Sequence, residues 1–140
     1  VDNSEESKMR IYVSHPIRGK KGEDATDEEM EINCNRAIKF GNTLKSQFSG
    51  VDFFVPGEHD EFASIALKKG RITIAEVLET DCDIIDTCDA IVVWCPENYI
   101  SDGMMVELSY ANTGGIPTFI VQGPAGAIQA IGRFLEGTTR

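Results

Sequence analysis

The 140-residue chain has no apolar run near the roughly eighteen residues that a membrane-spanning helix needs, which argues against a membrane partner. Its four cysteines, Cys34, Cys82, Cys88 and Cys95, form no C-x-x-C pair. A domain of this length does not need disulfides, so reduced thiols and a cytoplasmic location are expected. Basic residues are in deficit: 13 Lys and Arg against 23 Asp and Glu leave a net charge of −10. A body that acidic repels a phosphate backbone at long range, which argues against polymeric nucleic acid. A small anion is a different matter, because one arginine or one helix N-terminus acts over a few ångströms, inside the screening length. The chain also lacks internal repeats and low-complexity stretches. Val1 to Lys8 has no apolar signal core and reads as a disordered leader or tag remnant, leaving residues 9–140 as a single domain. His59, Asp60 and Glu61 have no second histidine or cysteine at ligand spacing, so no metal and no cofactor are expected.

What is present alternates in period. Met9 to Ser14 is short, partly alternating and rich in strand formers. The loop from His15 to Gly22 follows, with a proline and glycines that oppose regular structure. Asp27 to Phe48 has helical spacing with acids in its first turn, where the helix dipole favours them. Val51 to Val55 reads as a strand, Glu58 to Leu67 as a short helix, and Ile72 to Cys88 as a longer one. Asp89 to Cys95 is nearly all apolar, as a strand buried on both faces must be. A helix from Asp102 to about Asn112, a buried strand from Pro117 to Val121 and a helix from Ala125 to Leu135 complete the pattern. Alternating strands and helices specify parallel β-α-β units. The expected fold is a three-layer α/β sandwich, flavodoxin-like or Rossmann-like, with a parallel sheet of four or five strands in the order 2-1-3-4. Ligands in such sheets bind at the carboxyl ends of the strands.

Three groups of residues fall at that edge. The stripe Ile74, Leu78, Asp81, Ile85, Cys88 puts a carboxylate on a buried helix face, either as a structural acid or as a site acid whose pKa burial raises. The stretch Ser101-Asp102-Gly103-Met104-Met105-Val106-Glu107 follows the most buried strand. Ser101 or Asp102 can cap the helix there, and Gly103 lets a ligand approach the backbone. Glu107 flanks the stripe of Met104, Leu108 and Ala111 and so projects near the sheet rather than into open water, although from spacing alone a capped helix with an ordinary surface glutamate is the plainer reading. Tyr12 with Ile17-Arg18-Gly19 forms the third group, in which an arginine fork and exposed amides suit a phosphate, while a solvated basic loop with Lys20 and Lys21 is the alternative. His15 beside Pro16 can touch a phosphate, although a loop histidine is ordinarily solvated. Met104 and Met105 can line a base pocket or simply pack.

Taken together, Tyr12, Ile17-Arg18-Gly19, Asp81 eight residues before Asp89, Ser101-x-Gly103-x-x-x-Glu107-Leu108 and Pro117 resemble the nucleoside 2-deoxyribosyltransferases. Closer still is the resemblance to the related 2′-deoxynucleoside 5′-monophosphate N-glycosidases, and it spans about residues 9 to 121. It implies that Glu107 is the nucleophile, that Asp81 is the acid assisting departure of the base, and that Tyr12 orients the nucleophile. It also implies that Arg18, Gly19 and Ser101 hold a 5′-phosphate. Transferases of this kind usually carry an acid at the position of Ser101, to hold a free 5′-hydroxyl, so the serine points to nucleotides, although Asp102 follows directly. Where the monophosphate hydrolases tend to have Gly-Ser before Ile-Arg-Gly, this chain has His15-Pro16. The resemblance further implies a homodimer or higher oligomer, with the exposed part of the helix after Glu107 as a candidate surface.

The implied chemistry is cleavage of an N-glycosidic bond in a nucleoside 5′-monophosphate. A carboxylate traps the oxocarbenium-like sugar and a second, protonated acid serves the leaving base. Base exchange between nucleosides is the enzymatic alternative. A nucleotide-binding module without turnover is the alternative of another class, against which the retention of both acids argues.

Overall fold

The computed structural model describes residues 8–138. The expected leader lies almost wholly outside them. Four strands, β1 (Met9–Ser14), β2 (Val51–Phe54), β3 (Ala90–Trp94) and β4 (Thr118–Val121), form one all-parallel sheet in the order β2-β1-β3-β4. The strand order and α/β class match the expectation, with four strands among the described residues. Helices α1 (Asp27–Gln47) and α5 (Pro124–Thr138) cover one face, and α3 (Ile74–Ile85) and α4 (Asp102–Thr113) the other. Helix α2 (Asp60–Lys68) follows β2 and contributes no buried residue. No helix among the described residues is long and apolar enough to cross a membrane.

Alternation along β1 divides its side chains between two cores. Ile11 and Val13 pack with Ala37, Phe40 and Leu44 of α1 and with Ile131 of α5. Tyr12 points the other way, into the cluster of Ile85, Ile91, Met104 and Leu108. On the α1 side the Phe40 and Trp94 rings stack with centroids 4.4 Å apart, and the Trp94 indole donates to the Gln122 carbonyl at 3.1 Å.

Helix starts are set by local chemistry. Thr26 and Glu29 form a reciprocal capping box for α1, and Thr73 and Glu76 do the same for α3. The second box explains why α3 begins two residues later than its apolar spacing suggests. Its first turn also projects away from the core, so Ile74 is exposed where the stripe predicts burial. The final strand is likewise an edge, not a buried strand: among the described residues β4 pairs only with β3, and Ile120 is 58% exposed. The loop after β1 contains a 3-10 segment, Gly19–Asp24, which the sequence reading treats as irregular. Gly19 and Gly22, at φ +67° and +54°, supply its turns.

Candidate functional site

The end of β1 and the middle turns of α3 and α4 converge on one buried carboxylate. In α4 the buried residues are Met104, Glu107, Leu108 and Ala111, so Glu107 lies within the inward stripe and is only 6% exposed. The surface-glutamate reading is thereby corrected, because the spacing 104, 107, 108, 111 turns Glu107 toward the sheet. A charge placed there costs several kcal/mol unless donors compensate it. Tyr12 Oη donates to Glu107 Oε2 at 2.5 Å, and Ser14 Oγ donates to Oε1 at 2.7 Å. Both hydroxyls are fully buried. Asp81 supplies a further hydrogen bond to Glu107 from α3. Four residues from three separate elements thus form one network.

Burial followed by the charge of Glu107 pushes the Asp81 carboxyl up to about 7. Glu107 is also raised by burial, while the hydrogen bonds from Tyr12, Ser14 and Asp81 draw it back. The two carboxyls compete for a proton. We place it on Asp81, because Glu107 has two hydroxyl donors that favour its anion and, among the described residues, Asp81 has none. Burial first, and then the negative field of Glu107 and Asp81, raises the Tyr12 phenol well above its usual range, so it stays a donor. The Cys82 thiol, half-buried beside this pair, is raised by burial and by the same acids. Phe54, in register with Tyr12 on β2, stacks on it at 5.5 Å.

At the start of α4, Ser101 is the N-cap, its hydroxyl accepting from the Met104 amide at 3.2 Å, and Asp102 is exposed in the first turn. Gly103 faces α3: a Cβ there would stand 3.7 Å from Leu78 Cδ2, in ordinary contact. Helix packing thus occupies the side the sequence reading leaves to a ligand. Met104 is buried and Met105 exposed.

The loop after β1 follows a different logic. His15 is not solvated: it is 4% exposed, and both ring nitrogens are engaged. Its Nδ1 bonds the Pro16 carbonyl at 3.0 Å, and its Nε2 accepts from the Gly57 amide at 2.9 Å, which fixes a neutral tautomer. Gly57 eases this approach, since a Cβ would lie a tight 3.1 Å from His15 Cε1 and 3.3 Å from the Cys34 carbonyl oxygen. Burial holds the imidazole down at about 4. With both nitrogens committed, His15 has none free for a phosphate. Asn33 of α1 donates to the Ile17 carbonyl at 2.8 Å. Arg18 lies near Asp60, whose carboxyl is raised by burial and drawn back by the Cys34 thiol, Arg18 and Lys68. Among the described residues no hydrogen bond joins residues 15–19 to the Glu107 cluster. A cleft of about 30 Å³ opens on the α1 side, between the loops after β1 and β3. Pro16, Gly19, Asn33, Arg36, Trp94 and Tyr99 are among its lining residues, and Tyr12, Asp81 and Glu107 are not.

The structure therefore brings together Tyr12, Asp81 and Glu107, with Ser101 and Gly103 on the helix that carries Glu107. It sets Ile17, Arg18 and Gly19 in a separately anchored loop. Sequence reasoning missed Ser14, although its signal is simple: it stands two residues after Tyr12 on the same strand, hence on the same face. Among the described residues no three His, Cys, Asp or Glu side chains form a metal-ligand set. No family model, curated protein or solved structure matches the chain.

Proposed function

We propose that the protein is an N-glycosidase that hydrolyses the base–sugar bond of a nucleoside 5′-monophosphate, with 2-deoxyribonucleotides as the preferred class. The observation that carries this reading is the pair of neighbouring carboxyls in unequal surroundings: Glu107 is buried under two hydroxyl donors, and Asp81 is half-buried with none among the described residues. Pure binding gains nothing from such a pair, whereas glycosidic cleavage needs one anionic and one protonated acid.

In the proposed first step the substrate displaces Asp81 from Glu107. A Glu107 oxygen attacks the anomeric carbon, the carbon–nitrogen bond breaks toward the base, and Asp81 delivers its proton to the departing nitrogen. In the second step Asp81, now ionised, takes a proton from water. The water oxygen attacks the anomeric carbon, and the electron pair of the ester bond returns to Glu107. Tyr12 holds Glu107 Oε2 throughout. The Ser101 hydroxyl accepts from the Met104 amide and keeps its own hydrogen to donate, which suits a phosphate oxygen at the N-terminus of α4. Arg18 and the Gly19 amide would close on the same group from the loop after β1. The homodimer implied by the resemblance would use the outer face of α4, where Met105 and Val106 are exposed.

The test is product analysis of a panel of deoxyribonucleoside and ribonucleoside 5′-monophosphates, with and without a second free base. Free base and sugar 5-phosphate in both conditions support hydrolysis. A new nucleotide formed only when the acceptor base is present would identify base exchange instead, and binding without base release would refute catalysis.

A further inference from the structure

Ser14 ends β1 with its hydroxyl fully buried and committed to Glu107 Oε1, while Tyr12 takes Oε2. Each oxygen of the carboxylate therefore carries one hydroxyl donor from β1. The titratable groups that face Glu107 are Tyr12 from β1 and Asp81 and Cys82 from α3. The phenol and the thiol both stay neutral in this acidic surrounding. Only the two carboxyls compete for a proton, and the donors on one of them decide the outcome.

We propose that Ser14 is a positioning residue: by donating to Oε1 opposite Tyr12 on Oε2, it keeps the negative charge on Glu107 and the proton on Asp81. Its catalytic meaning rests on the glycosidic reading above, because that reaction fails if the acid and the nucleophile exchange protonation states. A hydroxyl suits this task, since it donates without adding charge and fits between strand and helix. Without it, Oε1 stays buried with one donor fewer, and the proton moves toward Glu107.

The test measures the resting protein first. The Glu107 carboxyl carbon, labelled through [5-¹³C]glutamate and assigned by its loss in Glu107→Gln, is titrated by NMR in wild type, Ser14→Ala and Ser14→Thr. Loss of one hydrogen bond to a charged group is expected to raise the Glu107 midpoint by about one pH unit in Ser14→Ala. Ser14→Thr, which keeps the hydroxyl, is expected to restore it. An unchanged midpoint in Ser14→Ala overturns the proposal. If Ser14→Ala does not fold, Ser14→Cys, a near-isostere with a weaker donor, is expected to shift in the same direction, and no shift there overturns it equally. In turnover, the acid limb of the kcat/KM profile is expected to move up by the same amount. A lower rate with the limb in place would contradict the positioning role. Should wild type release no base from any substrate, the glycosidic reading falls while the carboxyl titration still judges Ser14.

Discussion

On the α3 and α4 side of the sheet edge, the buried polar groups are the Glu107 carboxyl and the Tyr12 and Ser14 hydroxyls, and they bond to one another. On the α1 side, the buried polar group is His15, and both its bonds run to backbone. The first arrangement concentrates charge and divides a proton unequally between Asp81 and Glu107. The second spends both nitrogens of a neutral ring on joining the loop after β1 to the turn after β2. One region sets titratable carboxyls against each other and the other holds a loop in place. The two respond oppositely to pH, since burial raises the carboxyls and lowers the imidazole.

The sharpest way to break this contrast is Glu107→Gln, which removes the anion and leaves a similar shape. Base release from nucleoside monophosphates is expected to fall about 10⁴-fold or more. Asp81→Asn is expected to cost about 10²- to 10⁴-fold. It is also expected to abolish the alkaline limb of the wild-type pH profile, because activity should decline as pH rises through about 7, where Asp81 loses its proton. A wild-type profile flat across that range would contradict the assignment of the acid.

For the α1 side the expected effect is on stability. The folded His15 titrates near 4 against an ordinary 6.5, so the unfolded chain binds more protons between those values. The contribution is complete above about 6.5 and is lost as pH falls toward 4, roughly 3 kcal/mol in all. Urea unfolding of wild type and His15→Gln at pH 7 and pH 4.5 isolates it, since the carboxyl contributions cancel between the two proteins. Equal acid losses in both would remove the clasp. The smallest effect is expected for Arg18→Ala, which should raise KM for a monophosphate about tenfold relative to the free nucleoside. An unchanged ratio would leave Arg18 as a partner of Asp60 alone.

The sheet was legible because period-2 and period-3.6 patterns are set by which face meets the core, and here they are little disturbed. Asp81 was legible for the same reason, as a charge at a position where the stripe calls for a hydrophobe. Glu107 was half legible: the spacing 104, 107, 108, 111 marks an inward position, but helical periodicity resolves a residue's angle only to within tens of degrees. The exposure of β4 was not legible, because an apolar strand reads alike whether or not a neighbour pairs with it. Nor was the His15 clasp, which depends on Gly57 lying forty-two residues away. Contacts between loops leave no periodic trace.

Intact-protein and peptide mass spectrometry after rapid acid quench, during turnover of a deoxyribonucleoside monophosphate, tests the central claim most directly. A pentose phosphate ester on the peptide that contains Glu107, absent in Glu107→Gln, is the predicted result. Base release by an enzyme that never carries the sugar, with inversion at the anomeric carbon, would contradict it.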